Sequence, residues 1–254
     1  MTVRIGPAGT GGNSLEGIKE VKRLGLDACE IEFVRGVRMS NELAKRIGEE
    51  NRKLGLVLSI HAPYYINLAS DDSEKVDASK QRILDSCERG HHMAAKYIVF
   101  HAAFYGKLSP EECYQTVKKS IIDMQEAIKK KGWDVVLCPE TTGKRSQFGD
   151  IDELIRLSKE TGCGICIDFA HLEARHNKEC DCDEIAKKIK GIKHKTAHFS
   201  GIEYTAKGER RHVLTPMSKA KKIIDALKKN KVDLTIINES PDPVGDALKM
   251  KRLV

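Results

Sequence analysis

YIVFHAAFYGKLSPEECYQTVKKSIIDMQEAIKKKGWDVVLCPE, residues 97–140, decides the fold. It opens on an apolar, β-branched run, YIVFH (97–101), and closes on another, DVVLCPE (134–140). Runs that are apolar on both faces suit parallel strands covered on both sides. Between them, Ser109, Pro110 and Glu112 supply an N-cap, an N1 proline and a capping-box partner, which predicts a helix reaching Gly132. A strand, a crossover helix and a second strand make one β/α unit. Each of its strands ends in a residue that can bind metal, His101 or Glu140.

The same unit recurs along the chain. Further apolar runs stand at VRIG (3–6), CEIEFV (29–34), LVLSIH (56–61), CGICID (163–168), KTAHFS (195–200) and LTIINE (234–239), making eight with the two above. Asp150 with Glu153 predicts a capped helix after the fifth run, and Thr215 with Pro216 predicts the opening of SKAKKIIDALKK (218–229). Eight such pairs in 254 residues predict an α/β protein, a single (β/α)8 TIM barrel over residues 1–254. The alternative is an open, doubly wound sheet, but GPAGTGG (6–12) after the first run lacks its Gly-rich phosphate fingerprint.

Composition narrows the class. Apolar residues are 40% and charged residues 32%, enough to build a core and to solvate its surface. No stretch approaches the ~20 apolar residues of a membrane span, and MTVRIGPAGT has no secretory apolar region, so a cytoplasmic protein with no membrane partner is expected. The net charge of +7 favours a polyanionic partner only mildly, because 44 basic and 37 acidic side chains are intermixed. The eight cysteines read as buried or free thiols. Cys163 and Cys166 share one strand, and Cys180 and Cys182 lack a matching pair at zinc-finger spacing.

Six successive strands bring a metal-ligating residue to their carboxyl ends: His61, His101, Glu140, Asp168, His198 and Glu239. In a barrel these ends converge on one face, where barrel active sites lie. A single histidine or acid at such a position is commonly structural or a helix cap. Six in register are different, since three clustered carboxylates are costly to desolvate without cations. Mixed nitrogen and oxygen ligands suit Zn2+, with Mn2+ as the second choice.

HAPYYINL (61–68), VFHAAF (99–104), CPETTG (138–143), CIDFAH (166–171), AHFSG (197–201) and INESP (237–241), taken in order over nearly the whole chain, resemble the endonuclease IV family of apurinic/apyrimidinic endonucleases. The resemblance implies a zinc-dependent DNA-repair hydrolase with a (β/α)8 barrel that cleaves duplex DNA 5′ of abasic sites and carries three zinc ions. It implies that His61, His101 and Glu140 hold one zinc. Glu140 then bridges to a second, held also by Asp168, His198 and Glu239, and positions the attacking water. His171 and His212 are implied for the third ion, and Tyr64 for a loop that enters the DNA stack beside the lesion.

At the third site the chain departs from the family pattern of an aspartate two residues before the histidine. Arg210 occupies that position in GERRHVL (208–214), and a guanidinium cannot ligate zinc. Two or three ions are therefore expected. Either Glu209 replaces the aspartate after a one-residue shift, or the third ion is lost and Arg210 and Arg211 neutralise phosphate directly. Lys144 and Arg145, just beyond Glu140, are placed to touch phosphate or to serve as ordinary surface charge. A monomer acting on duplex DNA is expected. The rival is a single-metal sugar isomerase or epimerase of the xylose-isomerase-like barrels, for which Glu140, Asp168, His198 and Glu239 suffice. A barrel that binds damaged DNA without cutting it is the non-enzymatic reading.

Overall fold

The structure is a computed structural model describing residues 1–254. In chain order its elements are β1 (Val3–Pro7), α1 (Ser14–Arg23), β2 (Ala28–Glu32), α2 (Asn41–Leu54), β3 (Val57–His61), α3 (Ser73–Met93), β4 (Tyr97–Phe100), α4 (Pro110–Lys131), β5 (Val136–Pro139) and α5 (Ile151–Thr161). There follow β6 (Ile165–Asp168), α6 (Phe169–His176), α7 (Cys182–Ile189), β7 (Lys195–Phe199), β8 (Gly201–Thr205), β9 (Gly208–Val213), α8 (Met217–Asn230), β10 (Leu234–Asn238) and α9 (Pro243–Lys251).

Eight parallel strands close into a barrel. They run β2-β3-β4-β5 on one side and β1-β10-β7-β6 on the other. Parallel bridges between Ala8 and Glu30 and between Glu140 and Cys166 join the two halves. At the first seam a methyl group on Gly6 would lie 2.0 Å from the Ala28 carbonyl oxygen, so only glycine lets β1 approach β2 this closely. The antiparallel hairpin β8–β9 is an addition to the eight predicted units. It interrupts the passage from β7 to α8 at the face where the barrel strands end. Its half-exposed, charged sequence has none of the apolar continuity that reveals a barrel strand.

The two-residue strand period sorts the side chains into two layers. Ile98, Phe100, Leu137, Ile165 and Ile167 join the large apolar layer between strands and helices. Val99, Cys138 and Cys166 pack together in the barrel interior, with Tyr97 and Val136 against them. Two residues farther along the same strands, the inward positions are His101, Glu140 and Asp168. The period that builds the core thus delivers ligands to its upper end.

The caps predicted at Ser109 and Asp150 are both complete capping boxes, and Gly132 ends α4 in the left-handed region at φ 68°. Thr215 differs from expectation. Pro216 stands at the N-cap of α8 without a side-chain cap. The Thr215 N–H donates to Asp246 Oδ2 at 2.7 Å and its hydroxyl accepts from Asn238 Nδ2 at 2.6 Å, so β10 and α9 claim it instead. All eight cysteines are unpaired. No helix is long and apolar enough to cross a membrane.

Candidate metal centre

The carboxyl ends of the strands open into a cavity of about 460 Å³ whose lining includes His61, His101, Glu140, His171, His212 and Glu239. Glu140 is its centre. It follows β5 and is 1% exposed. Its Oε2 lies 3.2 Å from His61 Nε2 and 3.0 Å from His101 Nε2. Its Oε1 lies 3.0 Å from His198 Nδ1 and 3.4 Å from His171 Nδ1. One carboxylate therefore faces two histidines through one oxygen and two more through the other.

Five groups have ligand atoms within 4.8 Å of one another: His61, His101 and Glu140; Glu140, Asp168, His198 and Glu239; Asp168, His171 and His212; Glu140, Cys166 and His198; and Glu30, Glu32 and Glu239. Each sequence-nominated ligand is thereby brought to the same face. His198 Nδ1 also stands 3.1 Å from Glu239 Oε1. His171 Nε2 and His212 Nε2 are 3.3 Å apart.

The rings are held from behind. His61 Nδ1 lies 2.8 Å from the Ala62 carbonyl, His171 Nδ1 lies 2.9 Å from the Thr141 carbonyl, and His212 Nδ1 lies 2.9 Å from the Ser200 hydroxyl. A carbonyl can only accept, so the His61 and His171 Nδ1 atoms donate, and the Nε2 atoms turned to the site would be the ones to offer lone pairs to a metal. Ser200 Oγ donates to the Gly201 carbonyl, leaving it to accept from His212 in the same sense. Ring nitrogens fixed by an outer acceptor are the usual environment of metal-bound histidine. The buried Asp168 Oδ2 has no hydrogen-bond partner, while its Oδ1 accepts from the His171 backbone at the start of α6. An orphaned carboxylate oxygen turned towards lone-pair donors fits a cation.

Electrostatics supports the same fit. Burial alone would lower the pKa of His61, but its hydrogen bond with Glu140 and the nearby charge of Glu32 raise it to about 10. His171 and His198 are likewise raised well above the usual imidazole range, against their burial, by the surrounding carboxylates. Burial opposes ionisation of Glu140 and Glu239, yet His198 and its neighbours hold Glu140 well below the carboxylate range and Glu239 at about 2. The acids demand cations, which are protons on the rings when no metal is bound. A folded-state pKa above the unfolded value contributes stability that is complete below about pH 6.5 and is lost as pH rises through about 10. The chelator-treated protein is therefore expected to lose thermal stability between about pH 7 and 10, with the zinc-loaded protein much less affected. Melting curves across that range check this, and an equal pH dependence with and without zinc would count against it.

Arg210 and Arg211 do not line the cavity. In the hairpin, Glu203 pairs with Arg211 and Tyr204 with Glu209, leaving Arg210 as the extra residue of a β-bulge. The two bulge residues that oppose one partner residue, here Arg210 and Arg211 opposite Glu203, fall on one side. Arg210 and Arg211 are exposed, and Arg211 is ion-paired to Glu203 at 2.8 Å. Glu209 and His212 line the cavity. Glu209 Oε2 is 3.6 Å from His171 Nε2, and its Oε1 is 3.8 Å from His212 Nε2. Gly143 makes room, since a methyl group there would lie 2.6 Å from Glu209 Cβ. The Glu209 N–H donates to the Gly143 carbonyl at 3.1 Å.

Tyr64 stands at the rim, 57% exposed, with its ring centroid 5.8 Å from that of His61. Arg145 Nε donates to the Arg175 carbonyl at 2.9 Å, and neither Lys144 nor Arg145 lines the cavity. Two acids escaped the sequence reading. Glu32, paired in register with His61, lines the cavity, and burial pushes its pKa up to about 8. Glu30 lies one inward step below and is fully buried. Their signal was available: two acids at i and i+2 within the apolar run CEIEFV share one strand face.

The chain matches the family model described as xylose isomerase-like TIM barrel over residues 18–252. It is 35% identical over 254 residues to an uncharacterised protein of Methanocaldococcus jannaschii, covering 94% of this chain and 91% of that protein. It is 30% identical over 119 residues to a probable endonuclease 4 of Mycoplasmoides gallisepticum, a match spanning 44% of this chain and only 38% of the relative. Among solved structures, endonuclease IV from Thermus thermophilus superposes with a TM-score of 0.75 at 20% identity, covering 98% of this chain and 97% of that one. The 3-keto-D-glucoside 4-epimerase of E. coli superposes with a TM-score of 0.71 at 16% identity, covering 99% of this chain and 98% of that one. At such identities these two likenesses establish the barrel and leave the chemistry to the site.

Proposed function

The chain belongs to the xylose isomerase-like TIM barrel family, and from that premise we propose that it is a zinc-dependent phosphodiesterase that cuts duplex DNA 5′ of abasic sites. The observation that carries this reading is the double-sided environment of Glu140, with His61 and His101 on one oxygen and His198 on the other. A one-metal sugar epimerase needs only the Glu140, Asp168, His198 and Glu239 set. Two histidines turned onto the opposite oxygen supply the ligands of a second ion.

Zinc held by these groups would acidify a water and withdraw charge from the phosphate. The chain's own residues do the rest. Glu140 keeps one oxygen towards each ligand group and holds a water's proton between them. His171, His212 and Glu209 form the far wall against which a phosphate is oriented. No lysine or arginine lines the cavity, so a phosphate there is neutralised by bound cations rather than by side chains. Tyr64 offers an exposed ring beside the cavity mouth, suited to replace stacking where a base is missing. An abasic nucleotide has less stacking to lose on rotating out of the duplex, which provides selectivity without base readout. Arg210 and Arg211, on the outer hairpin face, suit phosphates flanking the lesion.

The test is incision of a duplex carrying one elimination-resistant abasic analogue by chelator-treated protein, before and after restoring zinc or manganese. Metal-dependent scission on the 5′ side is expected. Tight binding without scission would favour the non-cutting reading. Absence of both, with epimerisation of a ketose panel, would move the function to sugars.

A further inference from the structure

Glu30 takes no part in the chemistry described above, yet its side chain is fully buried in the barrel interior. Its Oε2 accepts a hydrogen bond from Ser59 Oγ at 2.7 Å. Its Oε1 reaches across from β2 to within 2.9 Å of His198 Nε2 on β7. The alignment of that pair falls short of hydrogen-bond geometry, and neither atom has another partner. On the opposite edge of the same ring, Nδ1 faces Glu140 Oε1 and Glu239 Oε1. Glu32 and Glu239 each bring a carboxylate oxygen within 4.8 Å of Glu30, and Val99, Cys138 and Cys166 pack together in the same barrel interior. No lysine or arginine reaches either oxygen of Glu30.

We propose that Glu30 is a positioning residue for the metal centre: held by Ser59, it fixes the His198 proton on Nε2 and so presents the Nδ1 lone pair to a cation between Glu140 and Glu239. Both acids facing Nδ1 are hydrogen-bond acceptors, so a neutral ring with its proton on Nε2 has nothing but a positive ion to meet there. The carboxylate behind the ring raises its donor strength and restricts its rotation, as outer carboxylates do for other metal-bound histidines. Ser59 selects the conformer, because engaging Oε2 leaves Oε1 as the oxygen aimed at the ring. A buried carboxylate without a cationic neighbour is otherwise costly, and an ion bound through His198 compensates it.

This inference rests on the metal-binding part of the reading above and is independent of the substrate. The experiment measures zinc affinity by competition with a chromophoric chelator, together with the visible spectrum of the cobalt-substituted protein, for unaltered chain, Glu30→Gln and Ser59→Ala. Glu30→Gln is expected to keep the melting temperature of the metal-free protein within a few degrees, to bind zinc roughly 10- to 100-fold more weakly, and to shift the cobalt bands. Ser59→Ala, which frees the carboxylate without removing it, is expected to weaken binding by less than about tenfold in the same direction. Unchanged zinc affinity and cobalt spectrum in Glu30→Gln would overturn the proposal while leaving the metal centre standing. Should that variant fail to fold, unchanged values in Ser59→Ala would overturn it equally. If the unaltered chain binds no zinc, the metal reading falls and this inference with it.

Discussion

Glu140→Gln is expected to lower incision of an abasic duplex by roughly three orders of magnitude in kcat/KM, equivalent to about 4 kcal/mol of transition-state stabilisation. The substitution preserves volume and removes what the site uses. In the structure both carboxylate oxygens are committed, Oε2 to His61 and His101 and Oε1 to His198 and His171. An amide keeps only one acceptor oxygen, and its NH2, turned towards either pair of rings, cannot ligate a metal. It can neither bridge two ligand groups nor take up a proton from a water between them. Zinc content is expected to fall in parallel, because the His61–His101 group and the Asp168–His198–Glu239 group each lose a charged member. Incision within tenfold of the unaltered protein, at full zinc occupancy, would remove Glu140 from the chemistry. The measurement thus separates a bridging carboxylate from one that merely fills the barrel mouth.

The barrel was legible because its code is redundant. Most of the eight runs carry β-branched apolar residues and several are followed by a helix start, so a boundary shifted by one or two residues, as in CEIEFV (29–34) against Ala28–Glu32, costs nothing. The ligand face was legible for a related reason. Once the strands are parallel and closed, residues at their ends meet whatever their separation in sequence. What escaped depends on direction within a strand rather than on its existence. Glu30 and Glu32 lie in a run scanned for apolar continuity, where two acids look like interruptions; only the inward phase of β2 makes them part of the centre. Thr215 has the composition of a cap but is claimed by Asp246 and Asn238, contacts made by chain segments distant in sequence. The hairpin lay beyond periodicity as well, because a bulge changes the phase on which any alternation argument rests.

That change of phase makes the outcome at the third ligand group predictable. Glu209→Ala is expected to remove one zinc ion per chain and to reduce incision by roughly 10²-fold, the loss of about 3 kcal/mol. Arg210→Asp, which restores an acid two residues before His212, is expected to change the zinc count by none. A regular strand would turn residues 210 and 212 to the same side, and an aspartate at 210 would then complete the site. With Arg210 as the extra residue, Glu209 and His212 line the cavity, while Arg210 and Arg211 are exposed on the hairpin. The arrangement is braced at its base: Gly208, at φ 100°, lies so close to Gly143 that a methyl group would come within 2.3 Å of its carbonyl oxygen. That same carbonyl accepts from the Glu209 N–H. Gly143→Ala should consequently act like a mild Glu209 lesion, by pushing the hairpin and its acid away from His171. Metal analysis by mass spectrometry of the native protein reads all three variants directly. A gain of one ion in Arg210→Asp would mean that the third site is empty in the unaltered chain, and an unchanged count in Glu209→Ala would mean that Glu209 holds no ion beside Asp168, His171 and His212.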